Sequence, residues 1–324
     1  MQADREISRV QKKIRPVFAD LRKNMSGVQM DLADVLERNV GEIHKQYEKA
    51  GSAQNRRKLK KEYILAVQAV IASKNYRSVE KDIVVILKKA DTSALDIIEG
   101  EKYGIYTENY NRIGRGLKKD LNGYNFQRIS EEDARYADLT DRKLDGRKLD
   151  KWNRSNIRSS IKSGSIGVLA AKALALYTVG NVIKSNLRMM DGQAEGTAMD
   201  ARTLGELDSM CRADDEGYEV LKVWMATLDN RTRESHADLD GVAIPVNDVF
   251  DNGCERPRDP NGAPEEICNC RCDLGVDTGG RKNRTRAARE GKVTGSYKKP
   301  ESFKGTHTVT VDNMSYREWQ RWRK

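Results

Sequence analysis

The stretch VQMDLADVLERNVGEIHKQY, residues 28–47, decides how the first half of the chain reads. Its apolar residues return every three or four positions, so one side of a helix collects them. KKEYILAVQAVIASKNY, residues 60–76, repeats the pattern, and no alternating strand pattern interrupts residues 1–160. A helical body is predicted there, with breaks at Gly51-Ser52, near Gly104 and at Gly123. The lone His44 in the first of these helices reads as an ordinary surface or boundary residue.

Working toward the C-terminus, DRKLDGRKLDKWNRSNIRSSIKSGS, residues 141–165, repeats RKLD around Gly146 and reads as a polar, basic connection open to a polyanion. It leads into an apolar helix predicted from Ile166, IGVLAAKALALYTVGNVI. Lys172 near the middle of that run opposes membrane insertion, and its length is at the lower limit for a span. A buried helix is expected, and no membrane partner. TAMDARTLGELDSMCR, residues 197–212, continues as helix and carries Cys211, set apart from the other cysteines.

The texture changes at Tyr218. YEVLKVWMATLD, residues 218–229, reads as a strand, and VAIPV, residues 242–246, as an extended segment that Pro245 marks as an edge. Residues 251–264 form a loop rich in Gly, Pro and Asp. THTVTV, residues 306–311, alternates like a strand with His307 on its exposed face, and Ser315 with Glu318 opens a final helix through a capping box. The fold class is thus a mainly α N-terminal helical body followed by a small α+β C-terminal module. The regions are 1–165, an elongated helical domain; 166–217, connecting helices; 218–280, the α+β module; and 281–324, a basic tail with a short strand and terminal helix.

Composition agrees with that division. With 33% charged and 38% hydrophobic residues, the 324-residue chain suits solvent-rich helices better than one large globule. MQADREISRVQKK has no apolar core, so no secretory signal is expected and synthesis in the cytoplasm is. The net charge of +10 is uneven. Residues 281–324 hold 13 Lys/Arg against 4 Asp/Glu, while residues 201–280 hold 8 against 18. A basic tail of this kind attracts nucleic acid or an acidic protein. Its candidate DNA-binding residues are Arg281, Lys282, Arg284, Arg286, Arg289, Lys298 and Lys299.

EEICNCRC, residues 265–272, puts three of five cysteines on alternate positions. An odd number of cysteines in a chain without an export signal argues against a disulfide framework. On a straight strand Cys268 and Cys272 would stand about 13 Å apart at ~3.3 Å per residue, too far to share one ion. Two neighbours can share one, and His236 and Cys254 can complete a tetrahedral shell. The proposed structural zinc therefore has the ligands His236, Cys254, Cys270 and Cys272. A buried thiol cluster without metal is the plain alternative. RTRESHADLDG, residues 231–241, adds acids and guanidiniums. These fit a metal-dependent nuclease or hydrolase, or a structural ion network of Asp229, Arg231, Arg233 and Asp240. No nucleophile with a paired base and no phosphate-cradling loop is evident, so no catalytic residue is assigned.

Trp224, then Asp229-Asn230-Arg231-Thr232-Arg233, His236, Leu239-Asp240-Gly241, and Asn269-Cys270-Arg271-Cys272 together resemble the signature of phage minor head proteins, the head-morphogenesis family named after the F protein of phage Mu. MSYREWQRW, residues 314–322, is similar to the Tyr–Trp helix that often follows. Two positions depart from the pattern. Ile267 stands where relatives often have His, so Cys254 or Cys268 would have to replace that residue. The family's Arg-Thr-Glu in the preceding helix is also not found around LRMMDGQAEG, residues 187–196.

The resemblance implies a non-enzymatic minor capsid protein, associated with the portal inside the head and with capsid or scaffold proteins. It would assist procapsid assembly and packaging or delivery of double-stranded DNA. Its locations would be the virion interior and, during assembly, the host cytoplasm. A DNA-directed metal-dependent hydrolase and a structural connector without DNA affinity are the alternatives.

Overall fold

A computed structural model describes residues 2–137, 139, 146–279, 285–288, 309–312 and 314–322. The chain is mainly helical, in chain order α1 (Gln2–Asn24), α2 (Ser26–Lys49), α3 (Ala53–Ala72), α4 (Lys74–Asp120), α5 (Glu131–Ala134), α6 (Gly146–Ser165) and α7 (Ala171–Asp215). Then come β1 (Leu221–Met225), α8 (Glu234–Asp238), β2 (Ala243–Pro245), α9 (Pro264–Ile267), β3 (Asp273–Asp277), β4 (Thr285–Ala288), β5 (Val309–Asp312) and α10 (Tyr316–Trp322). A helical body followed by a small α+β region is thus the observed fold class. Two compact units share these elements.

The helical unit comprises Gln11–Ile98 and Arg142–Gln193. Its core is the apolar stripe expected from the sequence: Leu32, Leu36 and Val40 of α2, Tyr63 and Val67 of α3, and Ile83 and Leu87 of α4 are all buried. Ser52 caps α3 by accepting the Asn55 N–H at 3.2 Å, which makes the break at Gly51-Ser52 real. The second stretch is not one helix, because α3 stops at Ala72 and α4 restarts after Ser73, whose Oγ accepts the Tyr76 N–H at 3.2 Å.

Residues 146–165 are helix where a polar connection was expected. Leu149, Asn153, Ile157 and Ile161 recur every four residues, and that narrow buried stripe suffices. Polar knots reinforce it. Arg158 forks onto Glu80 at 2.7 and 2.9 Å, Arg154 joins at 3.1 Å, and Asp91 accepts from Asn153 at 3.1 Å and Asn186 at 3.0 Å. The apolar run begins its helix at Ala171 instead of Ile166. Turns at Gly167 and Val168 (φ 51°) come first, and Ile166 is exposed. Leu174, Val179 and Val182 face the core while Lys172 and Leu176 face solvent. Among the described residues no helix is long and apolar enough to cross a membrane.

The sheet-bearing unit comprises Met1–Val10, Glu99–Asp141 and Ala194–Lys324. Gly104 does not interrupt α4, which runs on to Asp120; Gly123 (φ 84°) marks the turn after it. Gly205 of α7 is required by close approach, since a Cβ there would come within 2.5 Å of the Tyr106 carbonyl oxygen. The three-stranded antiparallel sheet has the order β2-β1-β3, with Trp224 opposite Leu274 and Val223 opposite Ala243. Pro245 lies on the edge strand, where a missing N–H costs no ladder bond. β4 and β5 form a separate pair. In α10 the capping box is present: Ser315 Oγ accepts the Glu318 N–H at 3.2 Å, and the Ser315 N–H donates to Glu318 Oε2 at 2.6 Å. Buried Tyr316 and Trp319 then dock this helix on its unit.

Candidate functional site

Strand β1 buries Trp224 completely, and the chain leaving it turns through Asp229 into α8, which places His236 1% exposed beside the indole. The two rings meet edge to face at 5.1 Å, and Phe250 meets the other side of Trp224 at 5.1 Å. His236 Nε2 lies 2.9 Å from Glu266 Oε2. Glu266 also accepts from Ser235 Oγ at 3.1 Å and Asn252 Nδ2 at 3.3 Å. Burial opposes its ionisation, but the bonds from Asn252 and Ser235 and the neighbouring imidazole outweigh that, holding the carboxyl below its usual range. With Nε2 engaged by the carboxylate, Nδ1 faces inward.

Two thiols meet Nδ1. Cys270 Sγ is 3.7 Å and Cys272 Sγ 3.3 Å from Nδ1, and the three donor atoms lie within 4.8 Å of one another. Ligands about 2.3 Å from one tetrahedral ion stand roughly 3.5–3.8 Å apart, so the donor set fits zinc. The hydrogen bond from Cys272 holds Cys270 well below the usual thiol range, against burial and with help from His236. Burial, then Cys270, pushes Cys272 well above it.

The C-x-C run is not straight. α9 ends at Ile267 and Asn269 adopts φ 56°, which turns Cys268 to solvent and brings Cys270 and Cys272 inward together. Side chains grip three successive segments of this bend. Arg233 donates to the Cys268 carbonyl, Arg258 Nε to the Cys270 carbonyl at 2.5 Å, and Thr227 Oγ1 to the Arg271 carbonyl at 2.5 Å. Arg271 itself turns outward from the thiols and forks onto buried Asp229, one bond measuring 2.9 Å.

Residues 154–275 match the family model described as Phage Mu protein F like protein. Over these residues the chain is similar to phage Mu F-like proteins. NAD(+)--arginine ADP-ribosyltransferase EFV of Enterococcus faecalis is 36% identical over 62 residues, which is 18% of this chain and 13% of that protein. No solved structure matches the chain significantly.

Within the F-like segment, the residues singled out from sequence divide. His236, Cys270 and Cys272 come together, whereas Cys254 is buried outside their donor group, its thiol pushed up to about 11 by burial and by Asp259. Cys254 packs on Gly262, where an added Cβ would lie 2.5 Å from its sulfur. Asp229 takes its guanidinium from Arg271. Arg231 reaches Asp229 by its backbone N–H at 2.9 Å, and Arg233 serves the Cys268 carbonyl. Asp240 bridges backbones, accepting the N–H of Ala226 at 2.8 Å and of Tyr316 at 2.6 Å.

Beyond the F-like segment, Arg281, Lys282, Arg284, Arg289, Lys298, Lys299 and His307 lie outside the described residues, and of Arg286 only the backbone in β4 is described. His44 is a half-buried residue of α2, 4.0 Å from Glu48. Cys211 stands alone in α7 with its thiol pushed up to about 11, chiefly by burial.

Sequence reading missed Glu266, Arg258 and Thr227, which act through main chain or through His236. It also assigned no role to an Arg-Thr pair of α7. This pair, Arg202-Thr203, is followed by Glu206. Arg202 forks onto Asp273 of β3 with two bonds of 2.9 Å, and reaches Glu206 at 3.1 Å and Glu6 at 3.3 Å. Thr203 donates to the Pro257 carbonyl at 3.0 Å and accepts from Arg256 at 3.0 Å. The Arg-Thr pair therefore ties α7 to the strand and loop that carry the thiols.

Proposed function

We propose that this F-like protein is a minor component of the phage head. In this reading it joins the procapsid at the portal, contacts capsid or scaffold components, and assists packaging or delivery of DNA through sequence-independent contacts of the basic tail. One observation carries it: the segment that matches the F-like family is the same segment in which the buried His236–Cys270–Cys272 set is built. Zinc would be held by His236 through Nδ1 and by Cys270 and Cys272 as thiolates. Cys254, buried in the same module although outside the three-donor group, is our proposed fourth ligand. When bound, the ion supplies a cross-link between α8 and the C-x-C bend. The buried donors and gripped carbonyls suit that structural role, and we assign no catalysis. The shared stretch covers only 13% of the ADP-ribosyltransferase, so its named activity is not carried over.

Mass spectrometry and cryo-electron microscopy of purified procapsids and virions test the reading. A few copies per particle beside the portal are expected. Absence from both particles overturns it.

A further inference from the structure

The helical unit holds a run that neither its core nor its ion pairs use. RRKLKK, residues 56–61, places five cations in the first half of α3 with only Leu59 turned inward. Arg56 folds back onto the Ala50 carbonyl at 3.0 Å and over the Tyr47 ring. Arg57, Lys58 and Lys61 are exposed and Lys60 is half-buried, and among the described residues none of the four has an ion-pair partner. The first acid, Glu62, comes after the run.

This placement works against the helix itself. Arg57 with Lys60 and Lys61 makes like-charge pairs one turn apart, which oppose the helix. A neighbouring helix is basic as well. α6 packs against α3, and its Lys148, Lys151 and Lys162 form an exposed stripe about 21 Å long at 1.5 Å per residue. Its one acid, Asp150, is already engaged by Lys88 at 3.5 Å.

We propose that the N-terminal half of α3, on a helix packed against basic α6, is a phosphate-backbone contact for duplex DNA. The exposed run offers cations in number, and cation–phosphate contacts carry no sequence information, so the contact is independent of sequence. The proposal rests on the functional reading above only for the choice of DNA as the polyanion. It places a contact on the helical unit in addition to the basic tail.

The test uses full-length protein and a fluorescent random-sequence duplex, with anisotropy titrations across a salt series. Arg57→Gln, Lys58→Gln, Lys60→Gln and Lys61→Gln are combined in one variant. A second variant carries Gln at Arg281, Lys282, Arg284, Arg286 and Arg289. The α3 variant should keep the wild-type melting curve. Its salt slope should flatten by up to about 3.6, at ~0.9 for each phosphate no longer neutralised, and its affinity should fall at least tenfold near 0.1 M salt. An unchanged slope in the α3 variant beside a reduced one in the tail variant overturns this surface and leaves the functional reading standing. Failure of the wild-type protein to bind duplex at low salt overturns both. If the α3 variant loses binding to polyglutamate but not to duplex, the partner is an acidic protein and the proposal fails.

Discussion

Between Gln11 and Ile98 and between Arg142 and Gln193, order comes from apolar side chains repeated along helices, with Leu32, Leu36, Tyr63, Val67, Ile83 and Leu87 forming a continuous interior. Between Leu221 and Asp277 the interior is small: Trp224, Phe250 and His236, with Cys254, Cys270 and Cys272 around them. There the main chain is fixed one group at a time, by Arg233, Arg258 and Thr227 on carbonyls and by Asp240 on amides. A helix satisfies its own backbone, so the helical unit needs side chains mainly for packing. An irregular loop must find partners for each N–H and C=O elsewhere, and buried ones left unpaired are costly. The contrast teaches that charge has two uses in one chain: Glu80 and Asp91 join side chains of neighbouring helices in one unit, while Arg233, Arg258 and Asp240 hold main chain in the other.

The largest effect that could break this comparison concerns metal. If zinc completes the scaffold, protein purified without a His tag should carry about one ion per chain. Cys270→Ser should then release it and expose residues 251–272 to protease while the helical unit keeps its circular dichroism. Structural zinc contributes on the order of 10 kcal/mol in small peptides, so its removal should be plain. A metal-free loop that stays protected would show that the hydrogen-bonded frame suffices by itself.

Asp229→Ala comes next. It leaves the Arg271 guanidinium, whose side chain is 9% exposed, without its carboxylate, and should cost roughly 3–5 kcal/mol in urea denaturation. A cost below ~1 kcal/mol, the range of an exposed ion pair, would mean that the fork does not hold the bend.

A smaller effect distinguishes the charge network on α7. Glu6, Glu206 and Asp273 face two guanidiniums, Arg112 and Arg202, so the group is neutral when one carboxyl keeps its proton. Burial pushes Glu206 up to about 8, opposed by Arg202 and aided by Asp273. A carboxyl raised in the folded state contributes stability below its ordinary range, and that contribution is lost as pH rises toward 8. Denaturation midpoints should therefore fall between pH 5 and pH 8, and Glu206→Gln should flatten the fall. Parallel profiles for both proteins would remove the assignment.

The smallest effect is at α10. Ser315→Ala removes the side-chain acceptor for the Glu318 N–H and should cost about 1 kcal/mol, seen as faster amide exchange in residues 316–322. Unaltered exchange would mean that Tyr316 and Trp319 hold the helix unaided.

The sequence by itself determined the helices of the first half, the strand at Trp224, the edge strand marked by Pro245, the capping box of α10 and the candidate donors His236, Cys270 and Cys272. Each is written in local spacing: a period of three to four, an alternation, a turn residue, or a pair of like ligands two residues apart. It put residues 146–165 within a helical region but read them as a polar connection instead of a packed helix, because a stripe one residue wide carries that helix and one of its members is polar, Asn153, bound to Asp91. Nor could it choose between Arg231, Arg233 and Arg271 as the partner of Asp229, since all three have the same chemistry and only the path of the chain decides which reaches it. The same holds for Cys254, left outside the donor group, for Glu266, brought onto His236 across 30 residues, and for Arg202, which joins Glu6 to Asp273. Spacing along the chain sets what neighbours can do. Contacts across long loops depend on how Asn269 turns and where α7 meets β3, and tertiary structure alone decides those.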